Sequence, residues 1–190
     1  MRVISGTARG TKLQSIEGLA TRPTTDRVKE ALFSMINHEI AGTTCLDLYA
    51  GSGALGIELL SRGAKSVVFI EKSVKSERII GENLRKTKLE DKARRLINEV
   101  DKALMMLKGE RYDIIVMDPP YSTGEVKKVL DLIASEDLLG SEGLVVIEHD
   151  IHDSDLADIL DYYEWIKTKK YGKTGITLLR RQHENSSLPG

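Results

Sequence analysis

The stretch Thr44-Cys45-Leu46-Asp47-Leu48-Tyr49-Ala50-Gly51-Ser52-Gly53-Ala54-Leu55-Gly56 decides how this chain folds. Its first half, 44–49, is apolar and reads as a buried strand. Its second half is a glycine turn that leads into a helical pattern over 54–62. Leu55, Leu59 and Leu60 fall on one side of that helix and Gly63 stops it. Gly51-x-Gly53-x-x-Gly56 matches the dinucleotide fingerprint. Glu71 follows Gly51 by twenty residues, at the end of the next apolar run, where an acid would meet ribose hydroxyls. A glycine turn kept only for tight packing is the plainer reading, and the placement of Glu71 weighs against it.

Outward from this unit, apolar runs alternate with helical patterns. The runs at 66–70, 94–98, 112–117 and 143–148 read as strands. Residues 74–87, 102–108, 126–134 and 156–160 read as helices, the first with Ile79, Ile80 and Leu84 inward. The alternation predicts an α/β fold: a mainly parallel sheet with helices on both faces and right-handed crossovers. Two runs at 165–170 and 175–179, around a glycine turn at 172–175, give the sheet an antiparallel edge hairpin. The start differs. A small β-hairpin around Gly6 and Gly10 precedes a helix over 24–40, with Val28, Leu32, Met35 and Ile36 inward. The expected division is an N-terminal hairpin and helix extension at 1–41, a Rossmann-like domain at 42–182, and a disordered polar tail at 183–190.

Composition narrows the function classes. The 190 residues include 28 Lys+Arg and 29 Asp+Glu, a net charge of −1, and 41% are hydrophobic. That balance excludes a strongly basic nucleic-acid coat and a core-poor disordered chain. One cysteine, Cys45, excludes an intramolecular disulfide and a cysteine metal cluster, and reads as a buried side chain. The start has no signal-peptide pattern and no apolar run is long enough for a membrane span, so a cytoplasmic protein without a membrane partner is expected. The charge is unevenly spread. Residues 129–166 hold acids and no Lys or Arg, whereas 167–181 hold Lys167, Lys169, Lys170, Lys173, Arg180 and Arg181 and no acid. A basic face is compatible with the near-zero total.

Cofactor chemistry comes from the acids. NAD and S-adenosylmethionine (SAM) sites share the glycine turn and the distal acid. Asp47, at the strand end before the glycines, would repel a passing diphosphate and suits an ammonium group, which SAM carries beside its sulfonium. Asp101 could accept from an adenine amine; the plainer reading for it is a solvated helix N-cap. Asp118-Pro119-Pro120-Tyr121 follows the fourth strand of the central alternation. The prolines fix the backbone and leave carbonyls free to accept. Asp118 adds a carboxylate acceptor and Tyr121 a ring for stacking. This is a site for a planar amine, and a base must leave its stack to enter it. His149 and His152 are three apart, but nothing else converges on them. They read as a surface helix, and no metal is expected.

The order of strand, glycine turn, helix, then Glu71, Asp101 and Asp118-Pro119-Pro120-Tyr121 resembles a Rossmann-fold SAM-dependent N-methyltransferase. More narrowly, Met1-Arg2-Val3-Ile4-Ser5-Gly6, Arg9-Gly10-x-Lys12-Leu13 and Arg22-Pro23-Thr24-Thr25-Asp26-Arg27-Val28-Lys29-Glu30-Ala31-Leu32-Phe33 resemble the RsmD-like family. Its members are bacterial enzymes that methylate guanine N2 in small-subunit (16S) ribosomal RNA. The resemblance runs from residue 1 to about residue 181. It implies SAM as cofactor and rRNA, within a small-subunit particle, as partner. It places Asp47, Ala50, Gly51, Gly53, Glu71, Lys72, Thr25 and Asp118 at the cofactor, with Asp101 at the adenine end. Asp118, Pro119, Pro120 and Tyr121 would form the amine-methylation motif. Arg22, Arg27, Tyr121 and Lys173 would touch RNA. Around Arg22 and Arg27 the plainer reading is a capped helix start, and around Lys173 a solvated hairpin. A DNA adenine or cytosine N-methyltransferase uses the same motif, but 190 residues leave little room for a DNA-recognition domain. A protein-glutamine N-methyltransferase, a non-catalytic SAM-binding RNA module and an NAD oxidoreductase each share part of this pattern.

Overall fold

The structure is a computed structural model, described over residues 1–15, 26–120, 124–152 and 162–182. Its strands are β1 (Thr44–Leu48), β2 (Ser66–Glu71), β3 (Ala93–Ile97), β4 (Tyr112–Met117), β5 (Leu139–Asp150), β6 (Tyr163–Tyr171) and β7 (Thr174–Arg181). They form one sheet in the order β3-β2-β1-β4-β5-β7-β6. The pairs among β1 to β5 are parallel, and β7 runs antiparallel to both β5 and β6. The helices are α1 (Asp26–Ile36), α2 (Ala54–Ser61), α3 (Val74–Thr87), α4 (Val100–Met106) and α5 (Glu125–Ser135).

The inner parts of β1, β2 and β4 are mostly apolar, Asp47 being a buried exception in β1, because both faces of the sheet are covered. On one face Cys45, Val67, Phe69, Ile114, Val116, Ile176 and Leu178 pack against residues of α1, α2 and α3. On the other, Leu46, Leu48, Ile70, Ile115, Met117 and Leu179 meet α4 and α5. The alternation of faces along each strand follows from the period of two. Among the described residues, no helix is long and apolar enough to cross a membrane.

Several expected boundaries shift. The strand at 143–148 begins at Leu139, and the helix at 102–108 occupies Val100–Met106. The helix over 24–40 is α-helical to Ile36, followed by a 3-10 turn at Asn37–Glu39. Met35 and Ile79 are only half-buried. His149 lies in β5 and not on a surface helix. Its side chain is buried, with Nε2 against Thr177 Oγ1 at 2.8 Å and Nδ1 against the Asp150 carbonyl at 2.7 Å. The helix expected at 156–160 and the tail at 183–190 lie outside the described residues.

The N-terminal extension packs into the same core as the sheet. Its hairpin is reduced to a single antiparallel bridge, Arg2 with Lys12, while Val3, Ala8 and Leu13 are buried. Helix α2 is therefore buried on every side and not on one stripe. Its Glu58, with no exposed surface, accepts from the backbone N–H of Ile4 (2.8 Å) and Ser5 (3.0 Å) and from Arg62 Nε (2.9 Å). Lys29 Nζ completes the set at 3.2 Å and also donates to the Arg2 carbonyl. Burial pulls the Lys29 ammonium below its ordinary value, against the attraction of Glu58.

Candidate active site

The site grows from the carboxyl edge of the parallel strands. Leu48, the last residue of β1, pairs in register with Ile70 of β2 and with Met117, the last residue of β4. The chain that follows β1 is therefore flanked by Glu71 on one side and Asp118 on the other, with neighbouring strands ~4.8 Å apart. The strand order reverses at this place, β2 lying on one side of β1 and β4 on the other. Such a switch point opens a crevice at the strand ends.

The turn itself is built by local rules. The Ala50 N–H donates to the Ile70 carbonyl at 2.9 Å, which ties the turn to β2. Gly53 opens α2 in a left-handed conformation (φ 79°), one that glycine adopts without cost. At Gly56 the limit is space. An added Cβ would lie 2.3 Å from the Phe69 ring and 2.8 Å from Asp47 Oδ2. This glycine lets α2 press directly onto β1 and β2.

Three carboxyl groups converge here. Asp47 is 1% exposed, and its Oδ2 accepts from the Gly56 N–H at 2.8 Å. Burial pushes its carboxyl up to about 8. The Gly56 N–H opposes the rise, and the charges of Asp118 and Glu71 add to it. Glu71 is held by backbone on both oxygens: Oε2 accepts from Gly51 N (2.9 Å) and Oε1 from Ser73 N (2.8 Å). It thus braces the glycine turn against the start of α3. Asp118 is half-buried, Pro119 buried and Pro120 exposed. The negative charge concentrated at this edge suits a cationic cofactor.

Asp101, the residue expected at the adenine end of the cofactor, is carried by α4. Asp101 is in the first turn of α4, while Glu99 holds the N-cap position, so the simple capping reading fails. Its Oδ1 accepts from Lys102 N at 2.8 Å and its Oδ2 from Lys128 Nζ of α5 at 3.1 Å. The Lys128 hydrogen bond leads the causes that hold the Asp101 carboxyl below its ordinary value. Lys72 is exposed at the end of β2 and lies 3.7 Å from Glu99.

Sequence reasoning missed one connection. Tyr49, just past β1, has a left-handed backbone (φ 58°), costly for a bulky residue. Its hydroxyl donates to Glu125 Oε1, the first residue of α5, at 2.5 Å. Burial pushes the phenol above its ordinary value and Glu125 adds to the shift, so Tyr49 stays a donor. This bond straps the β1–α2 glycine turn to the start of α5. The only sequence signal was a glutamate at a helix start, which reads as an ordinary cap. Of the expected RNA contacts, Arg27 is exposed in the first turn of α1, and Lys173 is exposed in the β6–β7 turn. Arg22, Thr25 (expected at the cofactor) and Tyr121 lie outside the described residues.

Comparison with known proteins agrees with this architecture. The family described as Conserved hypothetical protein 95 matches residues 1–180. The Bacillus subtilis protein named "Putative rRNA methyltransferase YlbH" is 36% identical over 184 residues, 96% of this chain and 100% of that protein. The Escherichia coli K12 protein named "Ribosomal RNA small subunit methyltransferase D" is 32% identical over 98% of this chain and 93% of its own length. The solved structure titled "Putative methyltransferase yhhF from Escherichia coli" superposes with a TM-score of 0.86 at 33% identity, covering 96% of this chain and 98% of that one. Two relatives at more than 30% identity over nearly the whole chain, and a family match over residues 1–180, establish that this chain belongs to the RsmD-like family of SAM-dependent methyltransferases.

Proposed function

We propose that the chain transfers a methyl group from SAM to the exocyclic N2 amine of a guanine in small-subunit (16S) ribosomal RNA, within a small-subunit particle. The observation that carries this reading is the Leu48–Met117 register. It sets a turn suited to a cationic nucleoside beside a Pro-Pro segment suited to a planar amine. The two relatives named as rRNA methyltransferases support RNA as the substrate. Guanine N2 rests on the family resemblance and on the amine-accepting character of Asp118-Pro119-Pro120-Tyr121.

The residues present fit SAM. Asp118 and Glu71 supply negative charge near the glycine turn, Asp47 adds to it where a bound cation displaces its proton, and Glu71 is the acid proposed to meet the ribose hydroxyls. Asp101 fits the adenine amine. SAM, when bound, supplies an electrophilic methyl on a sulfonium. The chain's own residues do the rest. A guanine amine is delocalised into its ring and weakly nucleophilic. Hydrogen bonds from it to the Asp118 carboxylate and the Pro119 carbonyl favour a pyramidal nitrogen and aim its lone pair. Acceptors fixed in advance stabilise the positive charge that develops on nitrogen, and alignment supplies much of the acceleration. Asp118 then holds the departing proton. Tyr121, placed by sequence directly after this segment, offers the stacking ring.

Asp118→Ala tests this assignment. It should lower methyl transfer by roughly 10²–10³-fold, the order seen when one such electrostatic group is removed. SAM affinity by calorimetry should change only a few-fold. Full transfer in the variant would remove Asp118 from the reaction, and NAD binding without SAM binding by the wild type would overturn the cofactor.

A further inference from the structure

We propose that the outer edge of the sheet, strand β6 with the turn that follows it, is the strip on which the RNA flanking the target base docks; this rests on the RNA methyltransferase reading above. β6 is paired on one side only, by β7. It carries Lys167, Lys169 and Lys170, and Lys173 follows on the turn, with no ion pair to any of the four among the described residues. Lysines on an edge strand also guard against edge-to-edge association. That role alone does not account for the apolar surface beside them. Trp165 is 39% exposed and Ile166 44%, at the register shift between Trp165 and Lys167. An edge built only to repel other strands has no use for an exposed indole. An exposed indole at one end of the strand and cations along the rest of it match a base able to stack and the phosphates that follow it.

Position decides between a general basic surface and one joined to the site. β7 begins at Thr174, which pairs with Asp150 at the end of β5 on one side and with Tyr171 at the end of β6 on the other. The β6–β7 turn therefore lies at the same carboxyl edge as Asp118. From there the strip runs ~20 Å down to Trp165, about six phosphates of one duplex strand at ~3.4 Å each. Lys167 and Lys169 pair with Leu178 and Ile176 and so share the sheet face covered by α1, while Trp165, paired with Leu179, lies toward the opposite face; the strip is the open edge of β6 itself, reached from both faces.

Trp165 is the only tryptophan of the chain, so it reports on the strip directly. The experiment titrates the full chain, wild type and the Lys167→Gln/Lys169→Gln/Lys170→Gln variant, with transcribed small-subunit rRNA and with particles from cells lacking the enzyme. Anisotropy and tryptophan emission are read across a salt series, and SAM affinity is the control. The expected result is quenching of Trp165 by RNA and a variant whose salt slope is smaller by about two to three, at ~0.7–0.9 per cation. SAM affinity should be unchanged. An unquenched Trp165 with an unchanged slope overturns the strip while methyl transfer to particles still stands. Loss of binding to particles with intact binding to naked rRNA also overturns it, by assigning the strip to a ribosomal protein. Wild-type chain that methylates no RNA would instead bring down the reading on which the strip rests.

Discussion

Asp47 is an acid held where water cannot solvate its charge. Its carboxyl, about 8 in the folded chain against 3.8 when unperturbed, binds a proton that the unfolded chain has already released. Stability of the ligand-free protein therefore falls as pH rises from about 4 to about 8, by up to ~1.4 kcal/mol per unit, and levels off above. Asp47→Asn keeps an acceptor for the Gly56 N–H and has nothing to ionise. The variant should gain stability over the wild type across that window while binding SAM more weakly, as urea unfolding and calorimetry would read. Parallel stability curves would show that Asp47 is charged throughout. Sequence alone placed Asp47 at the cofactor by charge and position. It could not show that one oxygen is committed to the backbone of α2, because the close approach of Gly56 depends on Phe69 of the next strand.

The strap between elements is the Tyr49–Glu125 hydrogen bond, which joins the β1–α2 turn to the start of α5. A hydrogen bond to a charged group contributes about 1.5–3 kcal/mol. Part of that is expected to fix the segment at Asp118 in place. Tyr49→Phe should lower kcat about five- to thirtyfold, the factor for 1–2 kcal/mol of lost placement, with SAM affinity changed less than about twofold. Glu125→Gln, which keeps an acceptor, should retain more activity. Equal loss of SAM affinity and kcat would make the bond part of the cofactor site alone. Most elements were legible from period and glycine punctuation, since residues 67–70 of β2 and 114–117 of β4 are buried on both faces and read as apolar runs. The strap was not. It spans 76 residues of sequence, and neither partner is unusual in its own segment. His149 was misread for a related reason: a polar residue in a strand looks exposed until its partner, Thr177 on β7, is known.

Across the whole molecule, the N-terminal residues and the sheet share one core, and Glu58 is the joint between them. Removing one partner of a buried ion pair costs about 3–5 kcal/mol. Lys29→Met should fall near the lower end, because Arg62 and two backbone N–H groups still serve Glu58. The check is the urea midpoint; an unchanged midpoint would show that the pair holds nothing. The acid of this joint lies within an apolar helix, Ala54–Ser61, and nothing in the pattern of that helix hints that a second layer covers it. The charge balance is also resolved at this scale. The net charge of −1 hides a segregation, with acids and no Lys or Arg in 129–166 and bases and no acid in 167–181. The central claim is tested most directly by supplying radiolabelled SAM and the wild-type chain to small-subunit particles from cells lacking this protein, then digesting the RNA to nucleosides. Label in a single guanosine carrying N2-methyl is the expected result. Label on another base, on ribosomal protein or on DNA alone, or no label at all, would contradict it.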